Sequence, residues 1–134
     1  MPEPRPIAPA LFAATAAGPR LIAGRCAACR RLHFPAATWC PYCGGADCSA
    51  THVGPRATLF LGTTIRTAPP GYRGPLPYGF GVVELPENLR VITRLAGTEA
   101  ERLAAGHPMR LALAPLYVDD EGIPVLSYLF EPAA

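Results

Sequence analysis

The chain has 134 residues, which is enough for one domain of ordinary size or two very small ones. Half of the residues are apolar and only 16% are charged, while 17 prolines and 13 glycines favour short strands joined by sharp turns. Residues 1–82 carry eight arginines and two acids, whereas residues 83–134 carry four arginines and eight acids. This uneven charge argues against a uniformly basic nucleic-acid-binding protein.

Residues 1–19 are predicted to form an N-terminal extension with a short helix. Four prolines in residues 1–9 favour extended backbone, and Pro9 to Ala17 is the helix candidate because Gly18 and Pro19 would end it. A helix this short is marginal in water by itself. We therefore expect its Leu11–Phe12 pair either to pack on the rest of the chain or, as we favour, to dock on another protein.

Residues 20–54 contain two Cys-x-x-Cys pairs separated by ten residues, the pattern of a compact zinc ribbon. The segment Arg20 to Arg25 is predicted to be a strand that leads to the first pair, and Cys48 to Val53 a strand that follows the second. Each pair can turn two sulfurs toward one point, so that four thiolates surround one tetrahedral metal ion. We predict one structural zinc ion, bound by Cys26, Cys29, Cys40 and Cys43.

Three alternatives to a zinc site remain open from the sequence. The cysteines could form two disulfides or stay idle. Cys40 to Gly44 would also suit iron in a rubredoxin-like site, and soft thiolate ligands do not separate the two metals, although zinc is favoured. Cys48 is predicted not to be a ligand, since a closed zinc site needs only four. Paired thiols that bind metal fit a reducing cytoplasm better than a secreted scaffold. No uncharged run approaches the roughly 20 residues of a membrane helix, so no membrane association is predicted.

Residues 55–134 are predicted to contain five strands, with a short helical segment between the third and the fourth. The strands are 57–65, 78–85, 89–95, 109–114 and 125–130, and the helical segment is 99–105. Leu59, Leu61 and Ile65 are predicted to share one face of the first strand. Three strands, a helix and two more strands is the order of an OB-fold barrel, and closure removes the exposed edges of short strands. An SH3-like barrel is the alternative, but it explains the helix less well.

The predicted fold is therefore mostly β: a short N-terminal helix, a rubredoxin-like zinc ribbon and a five-stranded OB-fold barrel. This order resembles the acyl-CoA-associated proteins that join such a ribbon to an OB-fold. The resemblance runs from about Leu11 to Pro132 and rests on Phe12 to Leu21, on the two cysteine pairs with Phe34-Pro35, and on the proline-rich loop from Ala68 to Tyr78. One departure is Arg30, where such knuckles usually carry a glycine; positive φ at this position is costly for arginine, so the first knuckle is predicted to be slightly distorted but to keep its metal ligands.

The resemblance implies a role as an accessory subunit. Members of this family are typically non-catalytic partners of thiolase-like enzymes or, in some systems, of MaoC-like hydratases. A hetero-oligomeric complex is implied, in which this chain helps to form the acyl-CoA channel for thiolysis, retro-aldol cleavage or acyl transfer. A CoA thioester would then be the ligand of the complex, and the catalytic residues would belong to the partner.

The loop between the first two barrel strands holds four candidates for acyl-CoA contact: Arg66, Tyr72, Arg73 and Tyr78. The planar fork of arginine fits phosphate oxygens, and an aromatic ring can stack on adenine. The alternative is that Tyr78 is part of the barrel core and that the arginines are solvated. Phe80 is predicted to lie in the core.

No catalytic residue is predicted, although the sequence leaves open whether the chain has an activity of its own. His33, His52 and His107 occur without a nucleophile motif or a carboxylate pair, so each is predicted to be structural or exposed. Two other classes of function remain. An OB-fold with a zinc ribbon can bind single-stranded nucleic acid, although the acids of the last strands would interrupt a basic track. Bound iron would make the chain an electron carrier.

Overall fold

The structure is a computed structural model that describes residues 3–97 and 99–133. The N-terminal strands are β1 (Arg5–Pro6) and β2 (Phe12–Thr15), and the ribbon strands are β3 (Gly18–Cys26), β4 (Leu32–His33) and β5 (Cys48–Val53). The barrel strands are β6 (Arg56–Ile65), β7 (Tyr78–Leu85), β8 (Leu89–Leu95), β9 (Pro108–Val118) and β10 (Pro124–Pro132), with a 3₁₀ turn at Ala100–Arg102. In the described part of the chain, no helix has the length and apolar character needed to cross a membrane.

The five long strands after the ribbon close into a barrel. β6, β7 and β8 form an antiparallel meander, and β9 pairs with both β10 and β6. β10 lies parallel to the end of β8, where Phe130 is opposite Leu95, and this contact completes the circle. The predicted OB-fold barrel is confirmed, including the position of the helical turn between the third and fourth strands.

The predicted N-terminal helix is wrong, because the segment pairs as a strand instead. β2 runs antiparallel to the start of β3, with Phe12 opposite Leu21 and Thr15 opposite Gly18. The Thr15 hydroxyl donates to the Gly18 carbonyl at 2.7 Å, and Gly18 has a φ of 107° that suits the tight turn. Phe12 packs against the hydrophobic core of the chain rather than projecting to a partner. Strand pairing and this burial outweigh the weak intrinsic helix tendency of a short alanine-rich segment.

The ribbon and the barrel share one hydrophobic core. Leu21, Leu32 and Val53 of the ribbon belong to the same cluster of buried side chains as Leu111 and Phe130 of the barrel. The division of the chain into 1–19, 20–54 and 55–134 stays a prediction. Whatever the exact boundaries, the two units are packed on each other through apolar side chains.

Two side chains of the barrel point the opposite way from the prediction. The register of β6 shifts between Leu59 and Leu61, so that Leu59 is buried and Leu61 is exposed. On β7 the inward positions are taken by Gly79 and Gly81, which leaves Phe80 on the outer face and exposed. A Cβ on Gly79 would lie 2.5 Å from the backbone oxygen of Leu95 and 3.0 Å from the Cβ of Ala100, so the close approach of β8 and the 3₁₀ turn requires glycine there. The predictions that Leu61 shares the inner face and that Phe80 is core are both wrong.

Candidate metal centre and barrel surface

The four cysteines of the two Cys-x-x-Cys pairs converge on one point. Their Sγ atoms all lie within 4.8 Å of one another. Cys26 Sγ is 3.6 Å from Cys43 Sγ, and Cys29 Sγ is 3.5 Å from Cys40 Sγ. Sulfurs bound tetrahedrally to zinc at about 2.3 Å are about 3.8 Å apart, so the arrangement fits this ion closely. The fourfold sulfur set is also the donor set of closed structural zinc sites.

Backbone amides of the knuckles point at these sulfurs. The N–H groups of Cys29, Tyr42 and Gly45 donate to the sulfurs of Cys26, Cys40 and Cys43 at 3.4 to 3.5 Å. The Cys29 amide is the main cause that lowers the pKa of the Cys26 thiol to about 6. The Gly45 amide lowers the pKa of Cys43, but the neighbouring Cys26 thiol and burial raise it to about 12. Four thiols this close do not all ionise unaided, whereas a divalent cation would hold all four as thiolates.

The two knuckles have the same backbone turn but different residues at its end. The Arg30 N–H donates to the Cys26 carbonyl, and the Gly44 N–H donates to the Cys40 carbonyl, both at 2.9 Å. The φ of Arg30 is 66° and that of Gly44 is 77°. The positive φ expected at residue 30 is present, and a side chain in this region costs about 1–2 kcal/mol. The predicted distortion of the first knuckle is wrong, because its turn has the same hydrogen bond as that of the second knuckle.

Two other residues beside the ribbon site, Cys48 and His33, have contacts typical of structural rather than metal-binding residues. Cys48 is outside the group of four close sulfurs, and burial raises the pKa of its thiol. His33 is buried, and the Ala37 N–H donates to its Nε2 at 3.1 Å. The imidazole packs against Gly24, where an added Cβ would lie 2.6 Å from His33 Cε1. A glycine at position 24 is therefore required by the histidine beside it.

The two tyrosines predicted to contact acyl-CoA lie together. Tyr72 stacks on Tyr78 with 4.7 Å between ring centroids, and its hydroxyl donates to the Pro75 carbonyl at 2.7 Å. A Cβ on Gly74 would come within 2.7 Å of Leu116 Cδ1, so this glycine lets the loop pack tightly on β9. Burial raises the pKa of Tyr72. The proline-rich loop therefore packs on the outer surface of the barrel.

The two arginines predicted to contact acyl-CoA are placed in separate ion pairs. Arg66 Nη2 lies 3.3 Å from Glu101 Oε1 beside the 3₁₀ turn. Arg73 Nη2 lies 2.9 Å from Asp120 Oδ1, and its guanidinium sits 4.9 Å above the ring of Tyr117. A cavity of about 650 Å³ lies elsewhere, where β6 and β9 meet, and none of the four predicted residues lines it.

Arg94 lies beside the two tyrosines and was missed by the sequence analysis. Its Nη1 is buried and has no hydrogen-bond partner among the described residues, and desolvation lowers the pKa of its guanidinium. The strand pattern alone places Arg94 on the outer face, where an arginine is ordinarily solvated. The strand register could have indicated this position. The tight turn after β7 places Arg94 opposite Phe80, next to the aromatic loop.

The comparisons with known proteins agree with both halves of this architecture. Residues 16–49 match the rubredoxin-like zinc ribbon domain of ChsH2, and residues 50–114 match the C-terminal OB-fold domain of ChsH2. Benzoylsuccinyl-CoA thiolase subunit BbsA of Thauera aromatica is 31% identical over 91% of this chain and 84% of its own length. The chain belongs to the ChsH2-type zinc-ribbon and OB-fold family. The resemblance seen in the sequence is thereby confirmed.

Three further similar proteins are subunits or complexes by name. BbsA of Geobacter metallireducens is 29% identical over 87% of this chain and 77% of its own length. A solved structure described as the Ltp2-ChsH2(DUF35) aldolase is 29% identical, covers 86% of each chain and has a TM-score of 0.65. A probable enoyl-CoA hydratase alpha subunit of Thermomonospora curvata is 32% identical over 69% of this chain, which covers only 28% of that longer protein. Sequences similar to this chain therefore occur both in proteins of about its own length and within a much longer chain.

Proposed function

We propose that this chain is an accessory subunit that binds a thiolase-like acyl-CoA enzyme and helps to assemble its complex and acyl-CoA channel. The observation that carries this proposal is the match, over most of both lengths, to proteins named as subunits of benzoylsuccinyl-CoA thiolase. The related solved structure is named as an aldolase of two components. The reaction of the partner would be thiolysis, retro-aldol cleavage or acyl transfer, and a hydratase-type partner is the nearest alternative because of the hydratase relative.

The zinc ion would have a structural role in this subunit. Cys26, Cys29, Cys40 and Cys43 would hold it as a closed set of four thiolates, which leaves no coordination position open for substrate or water. The ion would therefore fix the two knuckles in place without taking part in chemistry. Four reduced cysteines around a metal also support a reducing cytoplasm as the location.

The complex itself is the first thing to test. Tagged protein, gently purified from its own cells and measured by native mass spectrometry, should carry one zinc ion per chain and a thiolase-like or hydratase-type subunit. Cys40→Ser should lose both the zinc and the partner, because metal binding and ribbon folding are coupled. Cys48→Ser is the matched control and should keep both. Wild-type protein that is recovered alone, or with nucleic acid, would instead indicate an independent binding module.

A narrower proposal concerns contact with the CoA thioester. Arg66, Tyr72, Arg73 and Tyr78 would contact the acyl-CoA bound by the complex, with the stacked tyrosines beside the nucleotide and the arginines on its phosphates. The ion pairs of the two arginines are exposed, and exposed pairs contribute only about 0–1 kcal/mol. A phosphate could therefore replace the present carboxylate at little cost.

This narrower proposal is tested by acyl-CoA titration of the purified complex. Arg73→Ala should weaken acyl-CoA binding by about tenfold, the effect of one charge-assisted hydrogen bond, and should leave assembly intact. Arg102→Ala is the control, because Arg102 is also exposed and paired with a carboxylate, that of Glu99 at 3.6 Å. Equal affinity of the Arg73 variant and the wild type would confine Arg73 to an ion pair with Asp120.

A further inference from the structure

The cavity at the seam between β6 and β9 has the size of a small-molecule site. Its volume of about 650 Å³ is within the range of about 300–1,000 Å³ that is usual for such sites. Apolar side chains form much of its lining, three of them buried and three nearer the surface: Ala57, Leu85, Met109, Pro86, Pro108 and Ala133. The cavity is therefore suited to the apolar part of a ligand.

Two arginines bring positive charge to the same cavity. Arg56 on β6 and Arg110 on β9 are direct cross-strand partners, and both are exposed. In the next pair along these strands, the Leu111 N–H donates to the Pro55 carbonyl at 2.8 Å. The two arginines therefore form a non-hydrogen-bonded pair, the kind in which opposite Cα atoms are only about 4.5 Å apart. Their side chains leave the sheet on the same face, next to each other.

The pairing of Arg56 with Arg110 is unfavourable without a ligand. Like charges directly opposite each other on neighbouring strands destabilise a sheet. Neither guanidinium forms a side-chain hydrogen bond or an ion pair within residues 3–97 and 99–133. An anion between the two groups would replace their repulsion by charge-assisted hydrogen bonds, which are strongest with planar guanidinium groups.

The carboxylates near this pair do not neutralise it. Glu84 lines the cavity, but its Oε1 lies 3.8 Å from the guanidinium of Arg90. Glu131 is opposite Arg110 on β10, where the Ala133 N–H bond to the Pro108 carbonyl places the two residues in a hydrogen-bonded pair, at the wider spacing of about 5.5 Å. No ion pair joins Glu131 to Arg110 in the described part of the chain. The two positive charges thus remain available.

We propose that this cavity binds a phosphate ester, with the phosphate between Arg56 and Arg110 and the apolar body against the lining that includes Met109 and Pro86. A phosphate monoester has two negative charges and three terminal oxygens at neutral pH, so it can engage both guanidinium groups. A carboxylate has one charge and would leave one arginine unmatched. The inference goes beyond the accessory-subunit function, because the site is formed by this chain alone.

The chemistry of the ligand is tested by NMR titration of the zinc-loaded chain with three small anions. Butyl phosphate should shift the backbone amides of Ala57, Thr58, Met109 and Arg110 in a saturable way. Inorganic phosphate should bind about tenfold more weakly, because it buries no methylene groups. Pentanoate has the same four-carbon chain on a carboxylate and should also bind about tenfold more weakly, because it loses one charge-assisted contact.

The roles of the two arginines are tested by substituting them one at a time. Arg56→Gln and Arg110→Gln should each weaken binding of butyl phosphate by about tenfold or more. Neither should lower the thermal midpoint of the ligand-free chain, because each removes a like-charge contact, but each should reduce the rise in midpoint that butyl phosphate causes. Arg102→Gln is the matched control, since Arg102 is exposed and paired with Glu99 away from the cavity. It should bind butyl phosphate as the wild type does.

Two sources could supply the phosphate, the CoA thioester of the complex or a separate phosphate ester, and competition distinguishes them. Displacement of butyl phosphate by CoA would assign the group to the thioester, and dephospho-CoA would then show whether the 3′-phosphate is the one bound. Displacement by neither would assign a separate ester, and all of these results support the site.

Four results would overturn the inference: no saturable shift around the cavity, wild-type affinity in both arginine variants, equal binding of pentanoate and butyl phosphate, or tighter binding of a single-stranded oligonucleotide with a steep salt dependence. The first three leave the accessory-subunit function untouched, because recovery of the partner from cells tests that function separately.

Discussion

Arg30 shows how one side chain adds strain to an otherwise regular metal-binding turn. The same hydrogen bond closes both knuckles, from residue 30 to Cys26 and from residue 44 to Cys40, and both turns need a positive φ at their last residue. Glycine meets this need at position 44 without cost, whereas arginine at position 30 does not. The first knuckle is therefore held in its conformation by the rest of the ribbon.

At this position we predict that Arg30→Gly raises the stability of the protein by about 0.5–1.5 kcal/mol, because glycine relieves the strain at φ 66° but also makes the unfolded chain more flexible. Thermal unfolding of the zinc-loaded protein measures the change. Arg31→Gly is the control: it removes the same charge and the contact of Arg31 with Tyr42, 4.9 Å above the ring, without relieving a positive φ. Equal midpoints for the two variants would mean that the strain at residue 30 costs nothing.

At the scale of elements, the register shift in β6 decides which of two similar leucines holds the barrel together. Leu59 precedes the shift and is buried, and Leu61 follows it and is exposed on the outer surface of the barrel. A buried leucine truncated to alanine loses both its transfer free energy and the packing around the cavity that remains. An exposed leucine loses neither in the isolated chain.

We therefore predict that Leu59→Ala destabilises the isolated chain by about 2–4 kcal/mol, and that Leu61→Ala changes its stability by less than about 0.5 kcal/mol. Urea unfolding curves of the two variants measure this difference. A strictly alternating strand, as the sequence suggested, would instead make the two substitutions similar. Similar losses would show that β6 has no register shift in solution.

The elements that the sequence predicted well are those with local signals. β5, β7 and β8 have the predicted bounds because each is flanked on at least one side by a glycine, proline or asparagine turn. The segment that failed, Phe12 to Thr15, depends on pairing with β3, and its alanines carry no sign of that partner. Propensity alone could not decide between a marginal helix and a strand whose stability comes from its neighbour.

The candidate sites also differ in how far local sequence determines them. The convergence of Cys26, Cys29, Cys40 and Cys43 could be predicted because close spacing along the chain fixes each pair locally. The surroundings of Arg94 could not be predicted, because they depend on where the twelve-residue loop between β6 and β7 folds over the barrel. Outward orientation was predictable for Arg94 from strand alternation, but burial beneath a loop is a tertiary effect.

At the scale of the whole molecule, side chains of the ribbon complete the hydrophobic core of the barrel. Leu21 and Val53 lie on the strands β3 and β5 that flank the cysteine pairs, and both are buried in the cluster that also contains Phe130. Metal binding to four thiolates typically supplies about 10–16 kcal/mol of apparent folding free energy. Loss of the ion should therefore loosen the ribbon strands and expose one side of the barrel.

We accordingly predict that removing zinc with an excess of chelator lowers the thermal midpoint of the barrel by about 10 °C or more, since the lost packing of Leu21 and Val53 is worth about 2–4 kcal/mol. Calorimetry should show one transition for the zinc-loaded protein and a single, lower one for the barrel after chelation. Hydrogen exchange at Val83 of β7, far along the chain from the cysteines, should accelerate in parallel. Adding back zinc should restore the original midpoint, and Cys48→Ser should behave as the wild type throughout. A barrel transition that stays at its original temperature after chelation would mean that ribbon and barrel fold independently, with the shared apolar contact contributing nothing to the stability of the barrel.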